Sequence, residues 1–166
     1  MNITIKYADG SLHDYAVPAS LMKAFNGDAK GDGRAIAGMM PRVQIAGIRS
    51  KSPAIAAGLK SGDVIVQVAV VQTGEAKKPP TCDDFLEYSS KAGAAGNKLR
   101  LTVERDGKVL DPIEVEPTFP IARGKRGLGV VPDTDLGTPV IAGVVPGSFA
   151  ANAGLKAGET VTAVND

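Results

Sequence analysis

The chain has 166 residues, 43% of them hydrophobic, the make-up of a core-forming globular protein and not of a disordered one. Its 19 basic and 18 acidic side chains leave a formal net charge of +1, so no field gathers phosphate backbones or anionic lipid, and nucleic acid is excluded as a natural partner. The most apolar run, Val64 to Val71, is interrupted by Gln67 and falls far short of the roughly 20 residues that a membrane-crossing helix needs.

In chain order, the first signal is an alternating run from Ile3 to Tyr7, an Asp9-Gly10 turn and a second run that reaches Val17-Pro18. Alternation around Asp-Gly predicts a β-hairpin over residues 1–18. Residues 19–34 read as a linker or short helix, the helix-prone part being Ala19 to Phe25. Asp28, Asp32 and Gly33 resemble part of a calcium loop, but Lys30 stands at the third ligand position and Met39 where a bidentate Glu belongs. Val43 to Ile48 is a short strand, and Ser52-Pro53 predicts an N-cap with Pro in the first helical position, the single turn ending at Gly58. β-Branched residues make Val64 to Val71 a buried strand. Thr81 with Asp84 three residues on resembles a capping box and opens a helix through Phe85, Leu86 and Ser89, predicted to end near Gly93. Leu99, Leu101 and Val103 alternate with polar residues into a second Asp-Gly hairpin at Asp106-Gly107.

The run Ser52 to Asp63 recurs 96 positions on as Ser148 to Glu159, and Ile45-Ala46-Gly47 recurs at Ile141-Ala142-Gly143. Upstream, Gly38-Met39-Met40-Pro41 matches Gly129-Val130-Val131-Pro132 at an offset of 91, so five extra residues lie in the second copy between these blocks. The hairpin at 1–18 likewise matches Leu101 to Pro117. The chain thus reads as a repeat cut out of phase: a closing hairpin, a whole copy, and the opening part of another.

These residues resemble a PDZ domain in its bacterial, permuted form, most clearly in the block from Lys51 through Ser52-Pro53-Ala54, Gly58-Leu59 and Gly62-Asp63 to Ile65, repeated with Gly147-Ser148 at the start of the second copy. The resemblance implies a mostly β fold with short helices, of the α+β class, arranged as a PDZ-like partly open β-barrel or sandwich in tandem repeat. It places a complete domain at 35–118 and a truncated second one at 124–166. It also implies that extended or C-terminal peptide segments of protein substrates add as a strand beside the strand that follows a small-residue loop. Two such loops are present, Gly127-Leu128-Gly129-Val130 and Ile36-Ala37-Gly38-Met39-Met40. Small residues suit this chemistry because consecutive backbone N–H groups must converge on a carboxylate without an intervening Cβ. The other wall is the helix from about Cys82 to Ala92, with Tyr88 and Ser89 expected to face the groove and Phe85 and Leu86 the core.

Among tandem PDZ proteins, the pair of modules, the connector Glu116 to Pro120 and the hairpin around Asp106-Gly107 are similar to the insert of site-2-type intramembrane zinc metalloproteases. That likeness implies a membrane-embedded parent, a segment on the periplasmic face of a bacterial inner membrane, and zinc held in the parent's catalytic domain, with no cofactor here. The alternatives are the PDZ pair of a periplasmic serine protease or chaperone, and a non-enzymatic adaptor. No catalytic residue is assigned within the chain. His13 is the only histidine, no His-Glu-x-x-His is present, and Ser90 and Lys91 are neighbours on a helix and so point apart. The two incomplete ends complement each other, and the hairpin at 1–18 is expected to pack against 127–166, within one chain or across a strand-swapped dimer.

Overall fold

The computed structural model describes residues 2–7, 9–16, 37–121, 124–135 and 137–165. The expected linker at 19–34, with its helix-prone part, and Ile36 lie outside the described residues. Mostly β with three short helices and open sheets, the chain has the expected α+β class. It divides into two compact units, one built from both ends (1–41 with 136–166) and one contiguous (42–135).

The contiguous unit opens with β4 (Val43–Ile48) and α1 (Pro53–Ala56), followed by β5 (Val64–Val70), β6 (Ala76–Lys77) and α2 (Cys82–Ala95). It continues with β7 (Leu99–Arg105), β8 (Lys108–Val109), β9 (Ile113–Val115), β10 (Phe119–Pro120), β11 (Arg126–Gly127) and β12 (Val130–Thr134). Its main sheet runs β12-β4-β5-β7-β8, with β9 also on β7 and β6 on β5. The alternating Leu99, Leu101 and Val103 all face inward with no exposure, against Ile45, Ile65, Val68 and Phe85. Asp106 and Gly107 both have positive φ, at 51° and 74°, the paired left-handed geometry of a type I′ hairpin turn. The capping box of α2 is complete: the Thr81 hydroxyl accepts from the Asp84 N–H at 3.1 Å, and the Asp84 carboxylate accepts from the Thr81 N–H at 2.9 Å. The helix passes through Gly93 and ends at Gly96, whose φ of 66° provides the left-handed C-cap. Gly93 is small for another reason, since a Cβ there would run into the Arg126 carbonyl.

The other unit contains β1 (Asn2–Lys6), β2 (Leu12–Ala16), β3 (Met39–Pro41), β13 (Ile141–Val144), α3 (Phe149–Asn152) and β14 (Thr160–Asn165). Its strands pair as β14-β1-β2 and β13-β3, over a core of Ile3, Ile5, Met39, Ile141, Ala150 and Leu155. The N-terminal hairpin therefore lies beside the C-terminal half of the same chain, Ile3 opposite Val164 and Lys6 opposite Thr160. Tyr7 and Tyr15 join their hydroxyls across the hairpin, and that bond pushes the Tyr7 phenol up to about 12. Because β1 is the central strand of its sheet, deleting residues 1–18 should strip amide protection from β14 in hydrogen exchange; unchanged protection at 160–165 would contradict this pairing.

The contiguous unit begins at Arg42 and runs to Asp135, for a reason of chain geometry. Only Arg42 separates β3 from β4, and the shortest common hairpin connection has two residues. β3 therefore cannot turn back onto β4 and pairs with β13, while the edge of β4 is taken by β12, Val130 opposite Ile48 through Thr134 opposite Val43.

Candidate functional site

Of the two small-residue loops, Gly127 to Val130 belongs to the contiguous unit, while Met39 and Met40 pair with Val144 and Gly143 in the other unit. Leu128 is 2% exposed and anchors the loop in the core. The loop carbonyls are turned inward: Leu128 O accepts from the Ala54 N–H at 3.2 Å and Gly129 O from the Arg49 N–H at 2.7 Å. Among the described residues, the N–H groups of Leu128 and Gly129 donate to no acceptor. Two adjacent amides are thus left open, at a residue pair ending in a glycine of φ 76°. Gly129 is required twice over, because a Cβ there would also collide with Ser52 Cβ and approach the Phe119 ring at 3.1 Å.

Beyond the loop, β12 is the outer strand of its sheet, so one row of backbone groups faces away from β4. Pro132 in it is tolerated because an edge strand does not need every N–H. α2 packs against both β11 and β12 and forms the opposite wall. Ser89 reaches this wall: its Oγ is 3.8 Å from where a Cβ on Gly127 would stand. Tyr88, expected beside it, is buried in the core cluster, and burial raises its phenol pKa with the Glu75 and Asp84 carboxylates adding to the effect. The reason is the width of the helix's apolar stripe, in which Cys82, Phe85, Tyr88, Ser89, Ala92 and Gly93 all face inward. Phe85 is in the core as expected, whereas Leu86 is 46% exposed. At the C-terminal end of α2 an open depression of about 570 Å³ is lined by Ser90, Gly93, Gly96, Lys125 and Arg126, which adds two cations beside the loop.

Buried charges hold this frame. Asp63, with no exposure, accepts from the Lys60 N–H at 2.8 Å and from Arg105 Nε and Nη2 at 2.6 and 2.8 Å. Arg42 donates from Nε and Nη2 to Asp135 Oδ2, at 3.3 and 3.1 Å, and from Nη1 to Glu104 at 3.1 Å. Neither cluster is foreseen in the sequence, because the partners lie 42, 62 and 93 positions apart.

The other unit repeats the loop's scheme at the offsets found in the sequence. Gly38 O accepts from the Val145 N–H at 2.8 Å and Ala37 O from the Ala150 N–H at 3.1 Å, with positive φ at Ala37 and Gly38. Glu159 replaces Asp63 as acceptor of the Lys156 N–H.

A family model described as the PDZ domain matches residues 25–115. A protein of Brucella suis biovar 1 that its name assigns to the zinc metalloproteases is 42% identical over 91 residues, 52% of this chain and 22% of its own length. A counterpart in Brucella melitensis biotype 1, named in the same way, gives the same figures. A DegP-like protein of Brucella suis biovar 1, named as a periplasmic serine endoprotease, is 30% identical over 142 residues, 74% of this chain and 26% of its own length. The chain thus spans about a quarter or less of each of these relatives. Among the described residues no helix is long and apolar enough to cross a membrane.

Proposed function

This chain belongs to the PDZ domain family, and we propose that it binds extended peptide segments, C-terminal ones above all, to recognise or filter substrate for a membrane-associated zinc metalloprotease. The observation that carries the reading is the conjunction of an outer strand, β12, with the open amides of Leu128 and Gly129 at its start and α2 alongside. A peptide added antiparallel to β12 would gain main-chain hydrogen bonds and end with its carboxylate at the loop. The higher identity to the zinc metalloproteases, 42% against 30% for the serine endoprotease, favours the first over a serine-protease parent. In this reading zinc and hydrolysis belong to another part of the parent, since a zinc site needs three or four protein ligands and His13 is the chain's only histidine. The parent would hold this segment on the extracytoplasmic face of a bacterial inner membrane. The repeated loop at Ala37 and Gly38 supports a second PDZ-like repeat, built from the two ends.

The test is a panel of short peptides that differ only in the last residue, each made as free acid and as amide. The free acid should bind at least about tenfold more tightly, because its hydrogen bonds are charge-assisted. The amide resonances that move should lie at 127–134 and along 82–95. No binder in the panel, or shifts confined to other surfaces, would overturn the proposal.

A further inference from the structure

The charges of the contiguous unit are unevenly placed along its open edge. Residues 43–62 and 117–132, which frame the Gly127 to Val130 loop, contain no Asp or Glu, although the whole chain carries 18. Four exposed cations in these segments stand close to the loop: Lys125 and Arg126 directly precede it, and Arg49 and Lys51 follow the end of β4. The Arg49 N–H is bonded to Gly129 O at 2.7 Å, and Lys51 adjoins Ser52, whose Cβ a Cβ on Gly129 would overlap. None of the four side chains has an ion-pair partner among the described residues. The C-terminus of α2 offsets them only in part, by about half an elementary charge. At the far end of the edge the sign reverses, since Asp133 on β12 and Asp83 in the first turn of α2 are exposed carboxylates.

The repeat provides the contrast. At the offset of 96, Arg49 and Lys51 correspond to Val145 and Gly147. Lys51 has a φ of 58° and Gly147 one of 74°, so the contiguous unit keeps a lysine in a left-handed position that glycine takes at no steric cost. A strained residue that holds a free charge beside a binding edge points to a use for that charge. We infer that the contiguous unit selects peptide segments with acidic side chains in their last few residues, drawn by Arg49, Lys51, Lys125 and Arg126. This rests on the peptide-binding reading above and names the class of segment that the site takes. The field of four charges needs no fixed hydrogen bond and acts over a screening length of ~10 Å at 0.1 M salt. A peptide antiparallel to β12 with its end at the loop brings its last residues within that range. Residues four places upstream, ~13 Å away at about 3.3 Å per residue, lie outside it and nearer Asp133.

The experiment compares, by fluorescence anisotropy on the whole chain, three peptides that share one apolar frame and one free-acid terminus, so that the terminal charge is common to all. One has Glu at the second and third places from the end, one has Gln there, and one has the Glu pair moved to the sixth and seventh places. The first should bind about three- to tenfold more tightly than the second, the scale of two exposed charge pairs, and the third should show no such gain. The gain should vanish at 1 M salt, where the screening length falls to ~3 Å. Arg49→Val with Lys51→Gly copies the residues of the other unit, and Lys125→Gln with Arg126→Gln removes the second pair of cations. Each double variant should bring the Glu-to-Gln ratio toward one, whereas Lys108→Gln, on β8 at the opposite edge of the sheet, should keep it. Equal affinity for the Glu and Gln peptides, or an equal gain for the displaced Glu pair, would overturn the charge selection and leave peptide binding standing. A ratio of one together with retention on phosphatidylglycerol vesicles that both double variants lose would overturn it in favour of a lipid surface. Binding of none of the three peptides would overturn the peptide reading on which it rests.

Discussion

Replacing Arg42 with Ala should cost the contiguous unit about 3–5 kcal/mol, the usual penalty for removing one partner of a buried ion pair. Arg42 and Asp135 are 6% and 3% exposed. They stand at the two places where the chain enters and leaves this unit, just before β4 and just after β12. The Asp135 N–H also donates to the Arg42 carbonyl at 2.8 Å, so the pair closes the end of the β12–β4 ladder. Without the guanidinium, the Asp135 carboxylate stays buried and loses the donors of Arg42, and Glu104, being more exposed, loses less. Urea denaturation of Arg42→Ala should show the loss as a shift in midpoint, with hydrogen exchange fastest in β12. The double replacement Arg42→Met with Asp135→Leu should recover most of it, because two apolar groups remove both charges together. A single-mutant loss under about 1 kcal/mol would show that the pair behaves as a solvated surface bridge.

How much of this was legible in advance follows from the range over which each interaction acts. The cap at Thr81 and Asp84, the hairpin turn at Asp106-Gly107 and the αL glycine at Gly58 are set by residues within a few positions, and each is found where the local signal places it. The sequence offsets of 96 and 91 reappear as matched hydrogen bonds, Arg49 to Gly129 and Val145 to Gly38. Pairings between distant segments were not. Nothing near Val43 says that Val130 to Thr134 will take its edge, although the single residue between Pro41 and Val43 already forbids the nearer partner. Gly93 looked like a stop because the approach of the Arg126 carbonyl, which requires its small size, comes from a remote part of the chain. Ser52 carried a perfect N-cap signal and makes no cap bond, and that departure from the local rule falls at the candidate site.

The second large effect is expected at Gly129, where two costs can be separated by a matched control. Gly129 and Gly107 have nearly the same φ, 76° and 74°, but they differ in surroundings. A Cβ on Gly107 meets nothing within 4 Å, whereas one on Gly129 meets Ser52 Cβ, an atom fixed to the backbone at the start of α1 and unable to swing away. Gly107→Ala should therefore carry only the left-handed backbone penalty of about 1–2 kcal/mol. Gly129→Ala carries that penalty plus an overpacking term of about 1–3 kcal/mol, for a total of about 2–5 kcal/mol. The extra strain has a direction, since relieving it means lifting the loop off Ser52. That movement breaks the Gly129 O bond to the Arg49 N–H and turns the two open amides away from each other. Gly129→Ala should accordingly lose at least about tenfold in affinity for free-acid peptides under conditions where it is still folded, while Gly107→Ala binds like the parent chain. Equal stability losses in the two variants, or a folded Gly129→Ala that keeps its peptide affinity, would show that the close approach of Gly129 to Ser52 serves neither the loop's packing nor its binding geometry.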